Sequence, residues 1–350
     1  MNMETTLQTM WEEFFAARDA LQKVFKMESD YTYPVCAELY VGAGKPVDEE
    51  RLDDCKHMVK SSVGIFSNFR GIVQLPLLSM LALDDDPQNR WERTQANYQI
   101  LKEHFFGSEY LALVAALLCD SAKDADVPAL AERGRTLYNR MKKEHPFLTG
   151  QEDSVFAVLL AESARTDDEL IADMEACYRL LDERFPKGDG MQTVSHILAM
   201  LDGEPTEKAN RVLRLFDALT AAGCKYGKER EPAILAALSA RPEPVETLTE
   251  EIVETDRYFH EQKGYRGVFG LDRRTRSMHA AMLVSTYHAR KDADASAQGD
   301  AVMHAAAQQA AIGTIAAQQT AIATIAAQQA AMCAIIASSA AASAATSTSH

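Results

Sequence analysis

A recurrence of about forty residues constrains this chain more than any other feature. With Tyr98 as reference, "YQILKEHFFGSEYLALVAALL" is followed 40 residues on by Tyr138, which opens "YNRMKKEHPFLTGQEDSVFAVLLA". Forty further, Tyr178 opens "YRLLDERFPKGDGMQTVSHILAML"; Phe216 follows after 38 residues and Tyr258 after 42. Going backwards, "CKHMVKSSVGIFSNFRGIVQLPLLSMLAL" fits from Cys55, and "ALQKVFKMESDYTYPVCAELY" fits more loosely from Ala20. That makes seven copies, the terminal ones degraded as capping units tend to be.

Each copy reads as two helices. In the first, apolar residues such as Leu130, Leu137, Tyr138 and Met141 fall at helical spacings with charges between them. Its end is marked by Pro, Gly or both: His145-Pro146 with Gly150, Phe185-Pro186 with Gly188 and Gly190, Gly264 with Gly267 and Gly270. The second helix is shorter and almost wholly apolar ("VFAVLLA", "ILAALSA"), which marks it as the inner one. Connections between copies ("LDDDPQNR", "ARTDDEL", "LDGEPTEK") set Asp or Thr at a helix cap and Pro or Glu in the first turn. No stretch alternates β-branched and polar residues between turn signals. The expected fold is all-α: an α/α hairpin array over residues 1–290, left open here between a curved solenoid and a closed toroid.

The net charge of −15 argues against non-specific nucleic-acid binding, which needs a positive field to displace counterions. The opening "MNMETTLQTMWEEFF" has acids where an export signal carries a basic segment, so a cytoplasmic location is expected. The six cysteines (Cys36, Cys55, Cys119, Cys177, Cys224, Cys333) show no C-x-x-C spacing and read as small buried hydrophobes in a reducing compartment.

The composition changes near the C-terminus. After a polar linker at 291–300, residues 301–349 contain no Asp, Glu, Lys or Arg, and a ten-residue repeat ("AAIGTIAAQQ", "TAIATIAAQQ", "AAMCAIIASS") takes over. Alanine favours helix, so a continuous helix is expected over 301–338, with a flexible tail at 339–350. Three readings compete for the helix: oligomerisation with another copy or docking on the array itself, a membrane segment, or a low-complexity tail. The Gln pairs are costly in lipid and no Lys or Arg follows, so the membrane is not favoured.

The nine histidines include no H-E-x-x-H and no Cys/His set with ligand spacing, so no metal or cofactor is expected. His104 and His145, at equivalent copy positions, read as caps on helix C-termini. "GYRGVFG" (264–270) reads as the turn of the last hairpin, since no strand precedes it. The turns within copies all emerge on one rim. They collect Phe105, Phe106, Phe147, Phe185, Tyr226, Tyr265 and Phe269, acids such as Glu152, Asp153, Asp189, Glu231 and Asp272, and a late basic group. Aromatics plugging hairpin ends and solvated charges explain most of this pattern. A recognition surface for a carboxylate or phosphate is the functional alternative, with Lys228, Arg230, Arg266, Arg273, Arg274 and Arg276 as its candidate binding residues. No catalytic residue is assigned. In a closed toroid the rim acids would also surround one mouth, as hydrolases and cyclases of that build require; only two tryptophans (Trp11, Trp91) weigh against sugar chemistry.

"HPFLTGQEDSVFAVLLA" and "LKEHFFGSEYLALVAALL", with the Ala/Gln-rich tail, resemble a bacterial family catalogued as domain of unknown function 4003. The resemblance implies a bacterial intracellular protein and carries no functional residues. The working expectation is a non-enzymatic helical-repeat scaffold for a protein or peptide partner. A toroid enzyme using rim carboxylates and a membrane-associated regulator acting through 301–338 are the alternatives.

Overall fold

The computed structural model describes residues 6–26, 32–122, 124–229, 231–267 and 270–297. The expectations placed on 301–338 and on the tail, together with Arg230, Phe269 and Cys333, lie outside the described residues.

Seven hairpins follow one another: α1 (Leu7–Val24) with α2 (Thr32–Ala43), α3 (Glu49–Ser62) with α4 (Gln74–Leu83), α5 (Pro87–His104) with α6 (Glu109–Ser121), α7 (Val127–Glu144) with α8 (Asp153–Leu160), α9 (Asp167–Leu181) with α10 (Asp189–Met200), α11 (Pro205–Ala221) with α12 (Pro232–Leu238), and α13 (Val245–His260) with α14 (Arg273–Ala297). No strand is present among the described residues. Ala20, Cys55, Tyr98, Tyr138, Tyr178, Phe216 and Tyr258 each fall in the first helix of a pair. Helix α14 continues through 291–297, within the stretch read as a linker, where Lys291 and three alanines favour helix.

Local chemistry sets the starts of these helices. Thr6 and Thr9 form one reciprocal cap, and Thr166 and Glu169 form another. Asp48, Asp86 and Ser108 each accept a backbone N–H at the start of α3, α5 and α6. The first helix of each pair buries one stripe; in α7 it is Val127, Ala131, Gly134, Leu137 and Met141. The second helix has no exposed stripe. Every residue of α8 is buried, as is every residue of α4 from Leu75 to Ala82. Even-numbered helices therefore form an inner layer and odd-numbered helices wrap it. Gly134 lets α7 approach closely, since a Cβ there would stand 3.0 Å from Val158 of α8.

The inner layer closes on itself. Each inner helix packs on the next, and α14 packs on α2. Outside this junction Trp11 donates to the Thr255 hydroxyl at 3.0 Å and stacks on Tyr258 with ring centroids 4.6 Å apart. Phe14 stacks on Phe259 at 4.9 Å, and Arg18 donates to the Lys263 carbonyl at 2.9 Å. Of the two geometries the sequence left open, the contacts form the toroid.

A buried helix must satisfy its last carbonyls, and here neighbouring helices supply cations for them. Arg51 donates to Ala82 O (2.8 Å) at the end of α4, and Arg133 to Ala161 O (3.0 Å) and Ser163 O (2.6 Å) beyond α8. Lys208 donates to Leu198 O (2.8 Å) and Leu201 O (3.0 Å) at α10, and Arg211 to Arg241 O (2.7 Å) past α12. Arg290 reaches Val41 O (3.1 Å) in α2, and Arg90 holds Asp120 in the last turn of α6. Replacing Arg133 by Met should cost roughly 1.5–3 kcal/mol in chemical denaturation, because the carbonyls lose a charged donor. Arg140→Met, which breaks only the exposed pair with Asp168, should cost less than about 1 kcal/mol. Equal losses would contradict the capping role.

Candidate functional site

The seven outer-to-inner turns share one face of the ring, as hairpin geometry requires. Most of its aromatics plug hairpin ends: Phe105, Phe185, Tyr226 and Tyr265 are buried. Phe105 meets Tyr138 edge-on at 5.9 Å and Phe185 meets Phe216 at 5.1 Å, so each seals a joint with the following hairpin. Three do the opposite. Phe66, Phe106 and Phe147 are 94%, 84% and 99% exposed, and Ile65 beside Phe66 is 71% exposed. Scattered exposed apolar residues need no account, but three nearly bare phenylalanines on three successive turns form one feature. Packed helices lie about 8–10 Å apart, which sets the interval between these turns. Asn68, donating to Tyr98 Oη at 2.6 Å, ties the Phe66 turn to the following hairpin.

The basic residues lie on the other side of the rim, in the α11–α12 and α13–α14 turns. Arg266, Arg273 and Arg274 are exposed, and exposed Lys228 sits 5.5 Å from the Phe216 ring centroid. Arg276 is buried; its Nε and Nη2 each donate to Asp256 at 2.9 Å. It is held within the hairpin while Arg273 faces solvent, so the two do not form one accessible pair. The rim thus carries an aromatic arc on the α3–α8 turns and, where the sequence put its late basic group, a basic arc on the α11–α14 turns.

Several rim acids are turned to backbone N–H groups, of their own turn or, for Glu109, of the preceding hairpin. Asp272 accepts from Arg274 N (2.8 Å) and Thr275 N (3.2 Å), and Glu109 accepts from Ile72 N (2.5 Å). Gly227 leaves the space the Glu231 carboxyl fills; a Cβ there would lie 1.9 Å from Glu231 Cδ. His145, expected as a simple cap, also reaches Glu175 at 2.8 Å and packs on Tyr178. Among the described residues no group of His, Cys, Asp and Glu could hold a metal ion, and no helix is long and apolar enough to cross a membrane. The described cysteines are all buried.

One acid is buried. Asp153 opens α8 with Oδ2 accepting from Gly150 N at 2.8 Å and Oδ1 3.4 Å from His196 Nδ1. Burial, aided by the charges of Glu152 and Asp189, pushes its carboxyl up to about 8, while burial pushes His196 down to about 3. Both are neutral at pH 7, so this is no ion pair. Glu38 in α2 is likewise raised to about 8 by burial. From pH 6.5 to 8 the folded chain holds protons on Asp153 and Glu38 that the unfolded chain has released, so stability falls as pH rises. The lowered histidine acts in the opposite direction, but only below its unfolded value near 6.5. Asp153→Asn should flatten the loss between pH 6.5 and 8 by up to about 1.4 kcal/mol per pH unit in urea titrations. An unchanged slope would contradict the neutral-acid assignment.

The comparisons with known proteins identify a family without a function. No solved structure matches the chain. "Uncharacterized protein YeaA" of Bacillus subtilis (strain 168) is 24% identical over 226 residues, covering 63% of this chain and 68% of the relative. The model of a family described as protein of unknown function (DUF4003) matches residues 18–330, most of the length, and the chain belongs to that family.

Proposed function

We propose that the protein is a non-enzymatic ring-shaped scaffold whose turn rim binds a protein or peptide partner. The observation that carries this reading is the arc of Phe66, Phe106 and Phe147, each at least 84% exposed on successive turns. Aromatic anchors of this kind contribute most where they enter a partner's pockets and lose their water. The basic arc of Lys228, Arg266, Arg273 and Arg274 fits an acidic segment of the same partner and would set register and encounter rate more than affinity.

The engagement of Asp272, Glu109 and Glu231 with helix starts supports a scaffold over a toroid hydrolase or cyclase, which needs two carboxylates free to face a substrate. Association with a membrane through 301–338 would be an added property and does not account for the phenylalanine arc.

A photo-crosslinking amino acid placed at Phe106 or Phe147 in the native bacterium should give a discrete protein adduct at both positions, absent from a control at exposed Glu132 on the outer face of α7. Arg273→Glu with Arg274→Glu should weaken that adduct more at low than at high salt. Adducts from the control alone, or none at the two rim positions, would contradict the proposal.

A further inference from the structure

The junction where the ring closes contains a cleft separate from the rim. Its volume is about 270 Å³, and Arg18, Gln22, Pro34, Lys263, Tyr265 and Leu271 line it. It lies between the first hairpin and the loop joining α13 to α14. Its charge distinguishes it: among the described residues two cations line it and no carboxylate does. A second cleft, at the ends of α2, α4 and α6, includes Asp84, Asp85 and Asp120; a third, at the start of α9, includes Glu169, Asp173, Asp202 and Glu204. Asp19, outside the lining, pairs with Arg18 Nη2 at 2.6 Å, so Lys263 is the lining cation without an ion-pair partner among the described residues, in a chain of net charge −15.

The arginine is already positioned. Arg18 Nη1 is held by Lys263 O at 2.9 Å, Nε by Asp19 Oδ1 at 3.0 Å, and its guanidinium lies 4.6 Å from the Phe15 ring centroid. Little side-chain freedom is left for a ligand to remove. Gly264, at φ +90°, turns the loop where a Cβ would lie 3.5 Å from Arg18 Nη1. Lys263 is exposed and forms no ion pair among the described residues. The apolar side of the cleft comes from Pro34, Leu271 and Tyr265.

Polar groups beneath this wall are unusually placed. Burial keeps the Tyr265 hydroxyl protonated and His279 neutral, and Tyr265 Oη and His279 Nδ1 share a hydrogen bond of 2.8 Å. That ring's Nε2 is buried without a hydrogen-bond partner among the described residues. Each unpaired buried polar atom costs roughly 1–3 kcal/mol. Such a cost is concentrated at sites with a role beyond packing.

We propose that this cleft binds a small amphiphilic anion, a carboxylate or phosphate monoester on a compact apolar body, with its charged head on Arg18 and Lys263 and its body against Leu271, Pro34 and the Tyr265 ring. The ligand touches both the first hairpin and the last loop, so it clamps the closure of the ring. Binding therefore stabilises the folded state by mass action.

The test uses the full chain with benzoate and phenyl phosphate as anionic probes and benzamide as their neutral counterpart, followed by calorimetry and thermal melts at low salt. Saturable binding and a concentration-dependent rise in melting temperature are expected for at least one anion and not for benzamide; comparing the two anions assigns the head group. Lys263→Glu should weaken binding by about tenfold or more while leaving the unliganded melt unchanged. Gln22→Trp, which fills the cleft from the α1 side without entering the core, should abolish it. The proposal is overturned if neither anion binds saturably, if benzamide binds as well, or if folded Lys263→Glu and Gln22→Trp bind like the parent.

Discussion

The inner helices are buried on every face, and the architecture depends on solving the problem that this creates at their ends. A helix in water leaves its last carbonyls to solvent; one enclosed by neighbours cannot. Arg51, Arg133, Lys208, Arg211 and Arg290 donate into those ends, adding charge that complements the negative pole of each helix. Lys208 shows the arrangement most fully, with Leu198 O, Leu201 O and the buried Asp173 carboxylate at 2.8, 3.0 and 2.7 Å. The apolar layer and the charged layer are therefore interdependent: short wholly apolar helices persist in the centre because basic side chains from packed neighbours complete them.

Closure follows from the same economy of surface. An open array exposes the greasy flank of its first and last inner helices and normally needs polar caps there. Here α2 and α14 cover each other, and Trp11, Phe14 and Arg18 of α1 tie to Thr255, Phe259 and Lys263 O beyond. With both flanks covered, the turn rim and the opposite face become the surfaces open to partners. The turn rim is the one that bears exposed phenylalanines.

Much of this was legible in the sequence because period and polarity are local. Helix class, the outer and inner alternation, the turn at 264–270 and the family resemblance all came from strings such as "HPFLTGQEDSVFAVLLA". What was not legible depends on direction. Phe105 and Phe106 are adjacent and chemically identical, yet one seals a joint and the other meets solvent, a difference set by which side of the C-cap each leaves. Arg273 and Arg276 differ likewise, since three residues on a helix turned the second toward Asp256. Phe66 was missed as a rim residue although its turn carries the same signals. The capping arginines gave no signal, because an Arg on a helix looks like a solvated charge until its partner helix is in place. The closing cleft joins residues almost 250 positions apart, Arg18 and Lys263.

Ring closure is the claim on which these inferences rest, and one distance tests it. Spin labels at Glu12→Cys in α1 and Glu254→Cys in α13, in a Cys333→Ser background, sit on exposed positions of helices whose neighbours the closing contacts join. With packed axes about 8–10 Å apart, pulsed dipolar spectroscopy should give one narrow distribution below about 25 Å. Seven hairpins set out in an open arc would place the labels roughly 50–60 Å apart; a distribution centred there would contradict the closed ring.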